Sequence, residues 1–236
     1  MLGKLIVFEG IEGCGKTTQL NLLFDWLQNS PELQALKAAN LVAGVVKTRQ
    51  PGGTALGLQL RQILLQPQDE AQIQPTTELL LYAADRAQHV DEQIRPWLQA
   101  GYLVLCDRFT GSTLAYQGYG RGLDLALVKQ LNQIATGGIS SDLTLWLQLE
   151  AEVGLARTQR RGLADRIEQA DLSFHRRVQQ GFEVLAQRDA LTAVIAADRE
   201  AAAIAQQIQS ILQEKLSQWY PLPSRPSSAS PKRLNS

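Results

Sequence analysis

One glycine-rich turn constrains this 236-residue chain more than any other feature. Leu5-Ile6-Val7-Phe8 is apolar without alternation, the pattern of a strand covered on both faces. Gly10-Ile11-Glu12-Gly13-Cys14-Gly15-Lys16-Thr17 follows, and from Thr18 the apolar residues Leu20, Leu23, Phe24 and Leu27 fall at helical spacing. Strand, G-x-x-x-x-G-K-[ST] and helix, in that order, form a phosphate-cradling loop rather than an ordinary glycine turn. The glycines let successive backbone N–H groups point inward, and the helix start adds the positive end of its dipole. In such a loop Lys16 reaches the β- and γ-phosphates of a nucleotide, and the Thr17 hydroxyl holds Mg²⁺.

The rest of the chain alternates between strand and helix patterns. Strands are expected at Lys4 to Glu9, Val42 to Arg49, Leu103 to Cys106, Leu143 to Leu149 and Thr192 to Ala197. Helices are expected at Thr18 to Gln28, Leu56 to Leu65, Thr76 to Gln88, Leu123 to Ala135, Glu152 to Arg161, Asp171 to Ala190 and Glu200 to Trp219. Asp91 to Ala100 reads as a further helix, kinked at Pro96 and ended by Gly101. Leu33 to Asn40 is either a short helix or an ordered connection, and the glycine- and tyrosine-rich Gly111 to Gly122 should be partly loop. Alternation of this kind predicts an α/β fold, a parallel sheet flanked by helices, with ligands bound outside the carboxyl ends of the strands. Three polar turns follow strand ends and should meet there: the phosphate loop, Thr48 to Gly53, and Asp107-Arg108-Phe109.

With 44% hydrophobic and 19% charged residues, the chain suits a globular domain over residues 1–220. Beyond Tyr220, prolines and serines dominate, so 221–236 reads as a disordered tail. Lys+Arg and Asp+Glu both total 23, so no global field recruits nucleic acid or an anionic membrane. No apolar run approaches membrane-spanning length, and a cytoplasmic location is the default. The two cysteines, Cys14 and Cys106, suggest neither a disulfide framework nor a metal site, and Cys14 reads as a passive loop residue.

Arg49 and Arg108 end separate strands on the edge that carries the loop. Each alone is either a strand-end salt bridge or a phosphate ligand; together they favour a phosphate acceptor, because the guanidinium fork matches phosphate geometry. Arg157, Arg160, Arg161 and Arg166 crowd together around Gly162, either as a solvated basic face or as a lid closing over a transferring phosphoryl group. His89 and His175 are isolated and read as surface or packing residues. A phosphate monoester acceptor needs no general base, since its second pKa near 6 leaves it largely dianionic at neutral pH.

Phe8 to Gln19, Thr48 to Thr54, Leu81 to Arg86, Asp107-Arg108-Phe109, Ala115-Tyr116-Gln117 and Asp165 to Glu168, in this order, resemble the bacterial thymidylate kinases. The resemblance implies transfer of the γ-phosphoryl group of ATP to dTMP with Mg²⁺, a five-stranded parallel sheet and a homodimer. It implies that Gly10 through Thr18 (Gly10, Ile11, Glu12, Gly13, Cys14, Gly15, Lys16, Thr17 and Thr18) bind ATP, with Thr17 on the metal and Asp107 reaching it through water. Arg49 and Arg108 would hold the dTMP phosphate, and Glu12 would face the deoxyribose 3′-hydroxyl. Tyr82 would stack on thymine and Arg86 would donate to the base edge, with Thr113 and Gln117 nearby and Tyr116 against the sugar. Lys16, Arg108 and a lid arginine, Arg161 or else Arg157, would act in catalysis, the lid covering about 152–170. No guanine-reading Asn/Thr-Lys-x-Asp motif supports a GTP-dependent switch; another nucleoside monophosphate is the nearer rival acceptor. The chain departs from the family pattern at Gln50, usually glutamate, at Tyr82, commonly phenylalanine, and at Ala196, usually aspartate. The stretch Ser30 to Asn40 is longer than usual, and the tail is extra.

Overall fold

Five parallel strands form one sheet in a computed structural model that describes residues 2–66, 73–160, 162 and 165–221. The strands are β1 (Lys4–Glu9), β2 (Gly44–Arg49), β3 (Tyr102–Asp107), β4 (Leu143–Gln148) and β5 (Thr192–Ala196), in spatial order β2-β3-β1-β4-β5. The expected tail lies outside the described residues from 222 onward.

Period-2 geometry explains the layering. Ile6 and Phe8 on β1, with Leu103 and Leu105 on β3, face a large core shared with helices α1 (Lys16–Asn29), α2 (Pro31–Ala38), α9 (Leu172–Arg188) and α10 (Ala201–Trp219). Leu5, Val7, Val104 and Cys106 point the other way, onto Val90, Ile94 and Phe109. Both faces of the central strands are therefore dry, as their unbroken apolar sequences require. Helices α3 (Ala55–Leu65), α4 (Pro75–His89), α5 (Arg95–Gln99), α6 (Thr110–Thr113), α7 (Leu125–Thr136) and α8 (Ala151–Gln159) complete the chain.

Two segments settle what the sequence leaves open. Leu33 to Asn40, either a short helix or a connection by sequence, is helical through Ala38 in a helix that begins at Pro31: the Ser30 hydroxyl accepts from Leu33 N–H and Pro31 starts the first turn. Of Gly111 to Gly122, expected to be partly loop, the stretch to Gly120 is helical, α6 running into a wide helical turn over Leu114–Gly120, and Arg121 and Gly122 leave the helix. Its start is held from the sheet, because Phe109 N–H and Ser112 N–H both donate to Glu9 Oε1, at 2.9 and 3.0 Å. The carboxylate thus caps the helix start from outside its own sequence. A second wide turn, Val90–Ile94, joins α4 to α5 just before Pro96, so the two helices form one continuous run. It accommodates the proline ring and the donor that proline removes.

The phosphate loop is pinned to α8 by backbone contact. A Cβ on Gly13 would lie 2.2 Å from Gly154 O, and one on Gly154 would lie 2.4 Å from Glu12 O. Gly154→Ala forces these two segments apart. It should cost roughly 1–3 kcal/mol, read as a shift of the urea midpoint at unchanged slope.

Candidate active site

A cleft of about 610 Å³ opens at the carboxyl ends of β1, β2 and β3. It is lined by Glu12, Gly13, Gly15, Lys16, Thr17 and Thr18 from the loop and α1, by Arg49 and Asp107 from strand ends, and by Arg108 just beyond β3. Tyr82 and Arg86 from α4 close one wall, with Thr113, Tyr116 and Gln117 from the Thr110–Gly120 helix. Gly10, Ile11 and Cys14 shape the loop from beneath and do not line the cleft.

Within the loop, Lys16 Nζ donates to Ile11 O at 2.7 Å, so the ammonium group lies folded along the cradle. Thr17 Oγ1 donates to Asp107 Oδ2 at 2.6 Å, tying the start of α1 to the end of β3. A hydroxyl and a carboxylate are the hard oxygen donors that suit Mg²⁺, which keeps waters and substrate phosphates as its remaining ligands. No cluster of three or more His, Cys, Asp or Glu side chains exists among the described residues, so an all-protein cage is not what this pair belongs to.

Arg108 joins the loop to the opposite wall. Its backbone adopts φ 70°, a left-handed conformation rare for a residue with a side chain. The guanidinium then bonds Gly10 O at 2.9 Å, Ser112 Oγ at 3.0 Å, Glu12 Oε1 at 3.0 Å and Tyr116 Oη at 3.2 Å. Tyr116 donates to the same Glu12 oxygen at 2.6 Å. Burial alone would raise the Glu12 pKa, but the charges of Arg108 and Lys16 and the Tyr116 hydroxyl hold it below the usual glutamate value. Glu12 Oε2 accepts no hydrogen bond, with His175 Nδ1 3.8 Å away. His175 is therefore buried behind the site rather than on the surface.

Arg86 spans the base of α4's wall. It donates through Nε to Gln50 Oε1 at 2.9 Å, through Nη1 to Thr113 Oγ1 and Asn132 Oδ1 at 2.7 Å each, and through Nη2 to Phe109 O at 2.9 Å. Gln50 Nε2 lies 3.1 Å from His89 Nδ1, and His89 Nε2 lies 2.7 Å from Thr48 Oγ1. The Gln50 amide nitrogen only donates, so His89 Nδ1 accepts and its Nε2–H points at Thr48. The residue that departs from the resembled pattern thus links Arg86 to a neutral imidazole.

The lid arginines do not act as one cluster. Arg157 Nη1 donates to Gly13 O at 3.4 Å and Ala197 O at 3.2 Å, beside the phosphate loop and outside the cleft lining. Arg166 Nη2 bonds Glu78 at 2.6 Å and its Nε bonds Leu64 O at 2.7 Å, so an internal carboxylate, not a ligand, gathers it. Arg160 is exposed, and Arg161 lies outside the described residues.

Sequence reading missed Arg61, which lines the cleft from α3 and bonds Pro51 O at 3.1 Å. Burial and the nearby charge of Arg49 lower its pKa. The signal was present: Arg61 is the one charged residue in the helix ALGLQLRQILL. With Arg49, Arg86 and Arg108 it makes four guanidinium groups lining a single cleft that a phosphate loop also lines.

A parallel sheet with a phosphate loop after its first strand, facing arginines that end two further strand-side turns, defines a P-loop kinase of the nucleoside monophosphate class. A thymidylate kinase family profile matches residues 8–208. The chain is 56% identical over 222 residues to the thymidylate kinase of Trichodesmium erythraeum, covering 93% of this chain and 99% of that one. It is 57% identical over 229 residues to that of Cyanothece sp., covering 94% and 98%. The crystal structure of thymidylate kinase from Ehrlichia chaffeensis superposes with a TM-score of 0.69 at 30% identity, covering 90% of this chain and 100% of that one. The chain belongs to the thymidylate kinase family and is an enzyme of that kind.

The buried His89 carries a pH signature. Burial, with the charge of Arg86, lowers its pKa from 6.5 to about 4. Between these values the unfolded chain binds a proton that the folded chain does not, so stability rises with pH and is lost as pH falls. Unfolding free energy should drop by roughly 1.5 kcal/mol from about pH 6.5 to about pH 5, and His89→Gln should flatten that slope in urea titrations.

Proposed function

We propose that this enzyme transfers the γ-phosphoryl group of ATP to dTMP, giving dTDP and ADP, with Mg²⁺ as cofactor. The observation that carries the reading is the shared cleft: Lys16 and Thr17 on one side and Arg49, Tyr82, Arg86 and Arg108 on the other line a single space. A switch protein needs the first set only.

On the donor side, the loop amides and Lys16 cradle the phosphates, and Thr17 with Asp107 would hold the metal. When bound, Mg²⁺ neutralises charge on the phosphate oxygens. On the acceptor side, Arg49, Arg61 and Arg108 face the dTMP phosphate. The Tyr82 ring serves as a platform for the base. Glu12, which lines the cleft, faces the sugar 3′-hydroxyl, and the Tyr116 ring packs against that sugar. A dianionic acceptor oxygen forms its bond to the γ-phosphorus as the bond to the β–γ bridging oxygen breaks, in line, so no side chain has to move a proton.

The domain is read as 1–220 with a lid at 152–170, in which Arg161 stabilises the transferring group. Leu56, Leu80, Leu127 and Ile134 are exposed on the neighbouring helices α3, α4 and α7, which supports a homodimer through that face. Light scattering should then give twice the chain mass. Among the described residues no helix is long and apolar enough to cross a membrane, and a cytoplasmic location belongs to this reading.

At equal concentrations of dTMP, dUMP, UMP, CMP and GMP, coupled assays of ADP release should show preference for dTMP, with dUMP nearest. A clear preference for another acceptor would overturn the reading. Lys16→Ala and Arg161→Ala should each lower kcat by about 10²–10³ with circular dichroism unchanged. Near-normal turnover in Arg161→Ala would move the lid role to Arg157 or Arg160.

A further inference from the structure

Glu78 is a fully buried carboxylate with no part in the transfer described above. It stands in the first turn of α4, one helical turn before Tyr82 and two before Arg86. Its Oε1 accepts from Gln117 Nε2 at 2.8 Å and Arg121 Nε at 3.2 Å, and its Oε2 accepts from Arg121 Nη2 at 3.1 Å and Arg166 Nη2 at 2.6 Å. Burial alone would raise its pKa, but hydrogen bonds from Arg121 and Gln117 and the charges of Arg121 and Arg166 hold it below the usual glutamate value.

An ionised carboxylate only accepts hydrogen bonds, so the Gln117 atom facing it must be the amide NH₂. With its NH₂ turned to Glu78, Gln117 has its carbonyl oxygen as the acceptor to offer the cleft it lines. Arg86, on the same wall, commits four of its five N–H groups to Gln50, Thr113, Asn132 and Phe109, leaving one donor.

We propose that Glu78 sets the pyrimidine selectivity of the acceptor site by locking Gln117 with its carbonyl toward the base. The proposal rests on the reading of the acceptor as a pyrimidine nucleotide. A fixed acceptor beside a fixed donor matches an edge that presents a ring N–H next to a carbonyl, as thymine and uracil do. Cytosine presents a bare ring nitrogen next to an amino group, so acceptor meets acceptor and donor meets donor. Glu78 touches no substrate and is a positioning residue. Arg166 reaches it from the far end of the lid, so the lid anchor and the base-reading amide share one clamp.

The test is kcat/KM for dTMP, dUMP and dCMP, with ATP and Mg²⁺, in the wild type, Glu78→Gln, Gln117→Leu and the double variant. A glutamine at 78 can donate as well as accept, so the Gln117 amide is free to turn over. The dTMP/dCMP ratio should then fall about tenfold, the size of one buried hydrogen bond, while the dTMP/dUMP ratio stays constant. Gln117→Leu should lower the first ratio similarly, and adding Glu78→Gln should lower it no further. Equal losses on all three nucleotides in Glu78→Gln would reduce Glu78 to a structural role and overturn the proposal. So would an unchanged dTMP/dCMP ratio in Gln117→Leu, which decides the matter even if Glu78→Gln does not fold. A wild type that prefers a purine acceptor would overturn the acceptor reading first, and is visible before any substitution is made.

Discussion

The contact between Arg108 and Glu12 is the constraint on which the rest of the site depends. Glu12 belongs to the loop after β1, Arg108 to the turn after β3, and the two strands are neighbours in register from Lys4 opposite Leu103 to Phe8 opposite Asp107. Strand pairing brings the two turns together, and the left-handed backbone at Arg108 turns its side chain back across the loop. Arg108 N–H bonds Phe8 O at 2.9 Å, so that conformation is held from the sheet itself. With both charged groups largely buried, removing either one leaves the other unpaired, which at such sites costs about 3–5 kcal/mol. A single pair therefore ties the phosphate loop to the wall that carries Ser112 and Tyr116.

The segment read as a lid is tied at its two ends to those same two sides. Its near end leaves α8, whose Gly154 packs on the loop backbone at Gly13 and whose Arg157 bonds Gly13 O. Its far end is fixed by Arg166, which bonds Leu64 O on α3 and Glu78 on α4, with Arg166 N–H on Leu65 O at 3.0 Å. The arginines of this segment looked like one cluster in the sequence, held together by a shared anion. Two of them instead bond protein groups on opposite sides of the cleft, Arg157 at Gly13 O and Arg166 at Leu64 O and Glu78.

Strands β1 and β3, the loop and the aggregate of cleft residues were legible because each follows from local pattern: apolar runs buried on both faces, glycine spacing and polar turns at strand ends. What was illegible is what depends on pairing across the chain. How much of Gly111 to Gly122 is helix depends on Glu9, about 100 residues earlier, which supplies the acceptor for the first N–H groups of the helix. Glu78 is an ordinary first-turn acidic residue by position, and nothing local announces that Gln117, Arg121 and Arg166 converge on it. Arg61 differs: its isolation in an uncharged helix was a usable signal, passed over because helix faces were read for apolar spacing only.

Gln50 shows how one departure from a family pattern is absorbed. A carboxylate at this position would face Arg86 Nε and His89 Nδ1 together, and its negative charge would favour a protonated imidazole. The neutral amide serves both neighbours without a charge. Its oxygen receives Arg86 and its nitrogen donates to His89, whose pKa then stays at about 4 under the influence of burial and of Arg86. Arg86 keeps its full charge toward the cleft instead of spending it on a carboxylate partner. Its orientation is fixed by neutral acceptors alone, Gln50, Thr113, Asn132 and the Phe109 carbonyl. The substitution therefore exchanges an ion pair for one neutral hydrogen bond while leaving the guanidinium in a fixed orientation, so position 50 can vary without dismantling the wall built by Arg86, Thr113, Asn132 and Phe109.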